Sequence, residues 1–393
     1  MGASGDVAIA SVTKNGSALS VSWGNGETSV FHYIWLRDCC YCEACGDCHS
    51  SLRQYVPSLE TIDVEPASIN WGSNEIVVEW AGDGHRSTYR ADWLNENRYD
   101  NRARTARRPP VTHWDATTDV DDLSFDFDRV RNNPVDRLAL QRHLIAHGVV
   151  IITGGPNEPG CVTDFAELFG EVSQSAYGAV FDLKPGNAIG TAGTTLREVP
   201  PHSDEAFVYA PPGIEALACV RPADDGGDSI MVDGFGIAEK LRRDHPQSFH
   251  LLATWNHHYV RLHPGKLDQR AHAPVIALDD DGQISGIRLH TRASGPPDLP
   301  EDVMEEYLVA YHRLCAMMMA PENQIRLRLA AGDAVVFDNH RALHARSAFS
   351  DRRRYMQICG VTRERFHENF RLLASELGDT ASANLVLRAG ACR

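Results

Sequence analysis

The chain has 393 residues, a formal charge of −15, 43% hydrophobic and 23% charged residues. That length exceeds one typical core, so two domains are expected, with enough apolar residues to bury both. The acidic balance argues against a nucleic-acid partner, since phosphate binding needs a basic face. Met1 to Asn15 shows no basic start followed by an apolar run, and Asp6 stands where a myristoylation signal has Ser or Thr. No apolar stretch reaches a membrane span; the longest, around Leu314 to Ala320, reads as a Met-rich core helix. A cytoplasmic protein with reduced cysteines and no membrane association is expected.

Residues 1–95 read as a small β-rich domain. Asn15-Gly16 is a hairpin signal between Ile9-Thr13 and Leu19-Trp23, and Gly82-Asp83-Gly84 joins Ile76-Trp80 to Arg86-Arg90. Five of the ten cysteines crowd into Cys39, Cys40, Cys42, Cys45 and Cys48, followed by His49. Such spacings suit a tetrahedral zinc closed by four S or N ligands. An iron–sulfur cluster, a redox pair and coincidence are the alternatives; iron–sulfur runs more often space the thiols by two or more residues. Cys161, Cys219, Cys315 and Cys359 read as small core residues, and Cys392 lies at the tail. Residues 96–133 turn polar and charged, with arginines from Arg102 to Arg108 and acids from Asp119 to Asp122, and read as a linker or surface arm.

Residues 134–393 begin with a helix from Val135 to His147, closed by Gly148, and a strand Val149-Thr153. Further helices are predicted near Val162 to Phe169, at Ile237-Ala253 and at Pro300-Met319. Predicted strands are Ile214-Val220, Ile230-Val232, Val275-Leu278, Ile325-Leu329, Ala334-Phe337 and Tyr355-Val361. Many strands with few crossover helices predict a mostly antiparallel barrel with helices outside. No internal repeat or low-complexity tract is visible. Within this domain His202-Ser203-Asp204 places an imidazole and a carboxylate two apart, on one side of an extended segment. His344 would complete a two-histidine, one-carboxylate face, which leaves three positions of an octahedral iron open. Arg354 follows His344 by ten residues. The plainer reading is that these are solvated turn histidines.

Several motifs then occur in one order. Trp35-Leu36-Arg37-Asp38 precedes the cysteine run. Tyr177-Gly178, His202-Ser203-Asp204, Pro211-Pro212-Gly213, Gly226-Gly227-Asp228-Ser229 and Val232-Asp233-Gly234-Phe235 follow, then Phe337-Asp338-Asn339-His340-Arg341-Ala342-Leu343-His344. Over nearly its whole length the chain resembles the γ-butyrobetaine hydroxylases, in the Fe(II)/2-oxoglutarate oxygenase superfamily with taurine dioxygenase. The resemblance implies a mainly β fold with flanking helices: a double-stranded β-helix, or jelly-roll, catalytic domain behind a small zinc-binding domain, usually as a homodimer. It implies that His202, Asp204 and His344 hold iron, with His344 chosen over His340 by the Leu-His-x-Arg pattern. Arg354, beside Arg352 and Arg353, would hold the far carboxylate of 2-oxoglutarate by a two-pronged bond, helped by the Ser229 hydroxyl. Cys40, Cys42, Cys45 and His85 match zinc positions, whereas Cys39, Cys48 and His49 depart from the pattern. The implied reaction consumes 2-oxoglutarate and O2, releases succinate and CO2, and hydroxylates an unactivated carbon.

The family holds a trimethylammonium group in an aromatic cage. Tyr177 matches a cage position and Phe181 replaces a tryptophan. Glu205 stands where a tyrosine is common, and Tyr209 or Tyr355 would compensate for a cage tyrosine absent from Gly190 to Pro201. Asp182 and Glu205 would add negative charge near the cation, or simply face solvent. At the other end, where the family has asparagine, the chain reads Arg288-Leu289-His290-Thr291-Arg292. On a strand Arg288, His290 and Arg292 share a face, which suits a dianion such as a phosphonate; a solvent-exposed charged strand is the alternative. The expected substrate is therefore a small trimethylammonium zwitterion, 2-trimethylaminoethylphosphonate first and γ-butyrobetaine second. A non-catalytic zinc- and ligand-binding member of the fold, or an oxygenase of amino acids or sulfonates, are the competing classes.

Overall fold

The computed structural model describes residues 7–46, 53–59, 62–175, 177–186 and 192–387. Cys48, His49 and Cys392 lie outside these. The chain divides into two compact units, Met1–Arg108 with Asn384–Arg393, and Pro109–Ala383.

The first unit is built twice from the same plan. Strands Ile9–Asn15, Ala18–Trp23 and Thr28–His32 form an antiparallel sheet that runs into the helix Tyr33–Asp38. Strands Pro66–Trp71, Glu75–Trp80 and Arg86–Arg90 form a second that runs into Ala91–Glu96. Alternation along each strand buries one face. Leu19, Val21, Trp23 and Phe31 thereby meet Ile76, Val78, Trp80 and Tyr89 in one core. In each half the indole of the middle strand donates to a serine of the next strand: Trp23 Nε1 to Ser29 Oγ and Trp80 Nε1 to Ser87 Oγ, both at 2.9 Å. A repeat is thus present that sequence inspection misses. Only spaced positions carry it, Ser29-x-Phe31-x-x-x-Trp35-Leu36 against Ser87-x-Tyr89-x-x-x-Trp93-Leu94.

The stretch 96–133 is not a bare linker. Asn101–Ala106 is helical, capped by the Asp100 carboxylate. From Pro109 onward the chain belongs to the second unit, where Trp114, Leu123, Phe127 and Val130 are buried. Ser124–Asp126 pairs in parallel with Val149–Thr153. Single apolar residues spaced among charges do the anchoring, so composition alone suggests an arm.

Two larger sheets make the second unit, beside two-stranded ribbons of Asn256–His263 with Leu267–Pro274 and of Ile276–Leu278 with Ile284–Ile287. The larger runs in the order Ser124–Asp126, Val149–Thr153, Ala334–Asp338, Ile214–Arg221, Tyr355–Val361, Phe181–Leu183. The smaller runs Val199–His202, Ala342–Arg346, Ser229–Asp233, Ile325–Leu327. Leu217, Cys219, Val335, Phe337 and Met356 of the larger meet Met231, Ile325 and Leu327 of the smaller in a shared core. Their strand neighbours Ala216, Ala218, Ala334 and Val336 point the other way, against helices Pro134–His147, Val162–Ala166 and Arg363–Glu376. On the far side Val232 and Leu343 pack against Gly234–Asp244, Pro246–Thr254 and Glu301–Met319. The predicted helix Ile237-Ala253 is thus two helices. Pro246 pushes the preceding residue out of helical geometry, and His245 sits at φ −143°, ψ 66°.

A buried ion pair ties these layers together. Arg341, 2% exposed, donates Nε to Asp233 Oδ1 at 3.1 Å and Nη2 to Asp233 Oδ2 at 3.2 Å. Its remaining donors reach the carbonyls of Ala146 and Thr112 at 2.7 and 2.6 Å. Asp233 also caps the helix Gly234–Asp244 through Phe235 N. Gly148 ends the helix Pro134–His147 at φ +73°, and a Cβ there would lie 2.5 Å from Arg341 Cδ.

Three histidines away from the candidate site carry a pH dependence. Burial, with a neighbouring charge, lowers His143, His257 and His367 to about 4 from an ordinary 6.5. The folded value lies below the unfolded one, so unfolding takes up protons as acid is added. Stability should therefore fall as pH drops from about 6.5 towards about 4. Urea midpoints measured between pH 7.5 and 5 check this. His257→Gln should flatten the slope.

Candidate functional site

The antiparallel pairing of Val199–His202 with Ala342–Arg346 sets His202 directly opposite His344. Asp204 follows just beyond the strand end. His202 Nε2 lies 3.4 Å from Asp204 Oδ1 and His344 Nε2 lies 3.5 Å from Asp204 Oδ2. All three ligand atoms fall within 4.8 Å of one another. His202 Nδ1 donates to the Pro200 carbonyl at 3.0 Å, which fixes the ring and leaves Nε2 as the free base. Burial, then the nearby His344, lowers His202 to about 4, and burial also lowers His344. Burial alone would raise the Asp204 carboxyl, but the imidazoles of His344 and His202 hold it well below the usual range. Two neutral imidazoles and one carboxylate is the protonation state a divalent metal requires. His340 stands apart, in the turn after Asp338, and does not join this group.

Asn339, 1% exposed, holds the carboxylate segment in place. Its Oδ1 accepts from Asp204 N at 2.7 Å, while Nδ2 donates to the carbonyls of Asp204 and Pro212 at 3.2 and 3.1 Å. Ser203 is tied on its other side: Ser203 N donates to Leu289 O at 2.7 Å and Leu289 N returns to Ser203 Oγ at 3.0 Å. The motif containing Asn339 was legible, but its amide role needs the tertiary contact.

The triad opens into a cavity of about 560 Å³. Tyr177, Phe181 and Glu205 line it, as do Ser229, Arg288, Arg292 and Arg354. The Tyr177 and Phe181 rings are 5.2 Å apart, tilted by 38°. Arg354 is 3% exposed, whereas Arg353 sits at the surface on Asp351 and Asp224, so burial separates the neighbouring arginines. Burial lowers Arg354 and Arg346 to about 10, leaving both charged at neutral pH.

Four expectations need correction. Asp182 is not on the cavity wall. It alternates with Phe181 and Leu183, which are, and its carboxylate accepts from Tyr355 Oη and Gln357 Nε2 at 2.8 Å each. Tyr355 is thereby also turned away, whereas Tyr209 does line the cavity. Arg288 and Arg292 do not share a strand face: the strand ends at Ile287, and Thr291–Ala293 is a tight turn. Both still reach the cavity. His290 is not a third cation, since burial and the neighbouring His202 lower it to about 3 and it donates Nδ1 to the Ser203 carbonyl. Residues overlooked in the sequence include Arg261, Glu215 and Arg346, all on the wall. Arg346 donates to the carbonyls of Gly193 and Thr195 at 2.9 and 2.8 Å and so anchors a segment whose Gly193 lines the cavity.

In the first unit Cys40, Cys42 and Cys45 surround His85. Their Sγ atoms lie 3.4, 3.6 and 3.5 Å from His85 Nε2. A tetrahedral zinc with Zn–S of about 2.3 Å and Zn–N of about 2.0 Å would put S and N about 3.5 Å apart. His85 comes from the second hairpin, where Asp83 Oδ1 accepts its backbone N–H at 2.9 Å. Arg37 donates to Cys45 Sγ at 3.4 Å, a contact that favours thiolate. Cys39 is not among the four; burial pushes its thiol up to about 11.

Residues 107–359 match the family model described as taurine catabolism dioxygenase TauD, TfdA family. The chain belongs to the TauD/TfdA dioxygenase family. It is an Fe(II)/2-oxoglutarate dioxygenase. Residues 10–95 match the γ-butyrobetaine hydroxylase-like N-terminal family model. A γ-butyrobetaine dioxygenase of Pseudomonas sp. strain AK-1 is 33% identical over 368 residues, 91% of this chain and 94% of that protein. A trimethyllysine dioxygenase of Meyerozyma guilliermondii is 25% identical over 399 residues, 94% of this chain and 96% of that one. A taurine dioxygenase structure from Burkholderia xenovorans covers 65% of this chain and 89% of its own at 16% identity, with a TM-score of 0.47. Among the described residues no helix is long and apolar enough to cross a membrane.

The dioxygenase's dependence on Asn339 is testable. Asn339→Ala should weaken iron binding by about 10–100-fold, because the carboxylate loses the partner that orients its segment. Titration of apoprotein with Fe(II), read by tryptophan quenching, measures it. Asp204→Ala should abolish succinate formation while the thermal midpoint stays close to wild type.

Proposed function

We propose that this dioxygenase hydroxylates an unactivated C–H bond of a small trimethylammonium zwitterion. The observation that carries the reading is that the His202, Asp204 and His344 group opens into one cavity walled by both aromatic rings and arginines. The two facing sheets are read as the halves of a double-stranded β-helix around that group.

The triad would hold iron, which with 2-oxoglutarate and O2 would supply the oxidising power: one oxygen atom would go to the hydroxylated carbon and the other to succinate, with release of CO2. The chain's part is placement. Arg354 presents a planar fork to the far carboxylate of 2-oxoglutarate, with the Ser229 hydroxyl beside it; both are 3% exposed. Gly227 makes room for that fork, since a Cβ would lie 3.0 Å from Arg354 Nε. The Tyr177 and Phe181 rings offer their faces to a quaternary ammonium, and Glu205 adds an acid. Arg288 and Arg292 take the acidic end. Arg288 donates only at 3.3 Å to the carbonyls of Val208 and Tyr209, so its fork is loosely held and available to a stronger acceptor.

An arginine pair suits a dianion, so the first substrate is 2-trimethylaminoethylphosphonate, hydroxylated at the carbon bearing phosphorus. The second reading is γ-butyrobetaine, hydroxylated to carnitine; the 33% identity to a γ-butyrobetaine dioxygenase favours it. Each charge-assisted bond is worth about 1.5–3 kcal/mol, so the arginines should separate the two substrates by about tenfold or more. Succinate formed with each compound decides between them. Arg288→Ala and Arg292→Ala should each lower kcat/KM for the phosphonate by about tenfold or more. Equal or better turnover of γ-butyrobetaine, or no effect of either arginine, returns the assignment to carnitine formation.

The metal of the first unit is read as a closed structural zinc held by Cys40, Cys42, Cys45 and His85. Elemental analysis of protein purified without added metal should find about one zinc per chain. Cys42→Ser should lose it and lower the thermal midpoint, with little change in kcat of the folded fraction. Iron–sulfur charge-transfer bands would contradict this assignment.

A further inference from the structure

The cavity wall holds a carboxyl that is neither one of the three candidate iron ligands nor one of the 2-oxoglutarate residues, although its side chain neighbours Asp204. Glu215 lies in the strand Ile214–Arg221, is 5% exposed and lines the cavity. Among the described residues its Oε2 is buried with no hydrogen-bond donor facing it, the nearby Asp204 being another carboxylate. A buried acceptor left unmade costs stability, and such atoms in native proteins point to a ligand or a chemical role.

Register fixes where Glu215 points. Tyr355–Val361 runs between Phe181–Leu183 and Ile214–Arg221. Ile358 is opposite Phe181 on one side and Leu217 on the other, and Gly360 is opposite Glu215. Residues two apart on a strand share a face. Phe181, Ile358, Leu217 and Glu215 therefore look into the cavity together, and all four line it. Gly360 contributes no side chain to that row. A Cβ there would meet nothing closer than 3.6 Å, so the carboxyl faces a gap on the same wall as the Phe181 ring.

We propose that Glu215 contacts the substrate and sets nitrogen specificity: its Oε2 accepts an N–H from an ammonium group seated beside Phe181 and Tyr177. The enzyme then takes dimethylammonium substrates as well as fully methylated ones. This rests on the trimethylammonium reading of the same cavity. Ring faces accept an N–H only weakly, so a cage of ring faces discriminates little in favour of an ammonium that carries one. A carboxyl offers an acceptor oxygen whether or not it is ionised.

The test compares kcat/KM, from succinate release, for 2-trimethylaminoethylphosphonate, γ-butyrobetaine and their dimethylamino counterparts. Wild type should turn over each dimethylamino compound within about tenfold of its trimethyl partner. Glu215→Leu should lower the dimethylamino values by about tenfold more than the trimethyl values, with the KM for 2-oxoglutarate unchanged. Glu215→Gln, which keeps a carbonyl acceptor, should restore most of the ratio. Gly360→Ala narrows the gap and leaves the carboxyl in place; it should raise KM for all four compounds, and an unchanged KM would overturn the placement. Equal losses for both methylation states in Glu215→Leu would make the carboxyl merely structural and overturn the proposal. Turnover with an unaltered ratio sinks this inference alone. Absence of turnover for every trimethylammonium compound sinks the parent reading with it.

Discussion

The cross-strand opposition of His202 and His344 is the constraint on which the site depends. Two imidazoles from residues about 140 apart in sequence become neighbours because one antiparallel pair places their backbones face to face. A slip of one residue would turn either ring to the other face of the sheet. The pairing is held from both sides. Ser229–Asp233 lies against the other edge of Ala342–Arg346, and Arg341, next to that strand, is locked on Asp233. Asn339 and Leu289 then fix the turn that carries Asp204. The three candidate metal ligands are thus placed by the pairing of the smaller sheet and the turn that follows it.

The same arrangement explains the electrostatics of the cavity. Burial keeps His202, His344 and His290 neutral, which leaves the arginines as the cations and Asp204 as an anion held ionised. Burial and the neighbouring Asp204 and Glu205 push Glu215 the opposite way, well above the ordinary carboxyl range. One small space therefore holds carboxyl groups with opposed tendencies, set apart by which partners each one meets. A zwitterion offers both signs of charge to such a wall, whereas a simple cation or anion would leave one set of groups unanswered.

The first unit solves a different problem. It is small, and its apolar core comes from two copies of one sheet-and-helix plan. The cysteines follow the helix of the first copy, and His85 sits in the hairpin of the second. A metal at that point would tie the copies to each other, which is the stabilising use of a closed tetrahedral site in a small domain.

Local pattern was enough for much of this chain. The hairpin at Asn15-Gly16, the helix from Val135 closed by Gly148, the strand Tyr355–Val361 and the ordered motifs from Trp35 to His344 are legible because turn chemistry, periodicity and motif spacing are short-range properties. Family membership follows from those motifs. What only the tertiary structure decides are properties of residues distant in sequence. Strand alternation removes Asp182 from the cavity and admits Phe181. Burial distinguishes Arg354 from Arg353, although the sequence presents three consecutive arginines. Glu215 sits in an apolar strand where its charge looks like an anomaly, and strand register puts it on the cavity wall with Leu217 and Ile358. The duplication in the first unit hides for the same reason: three-dimensional equivalence needs only a few spaced side chains, and sequence inspection reads neighbours.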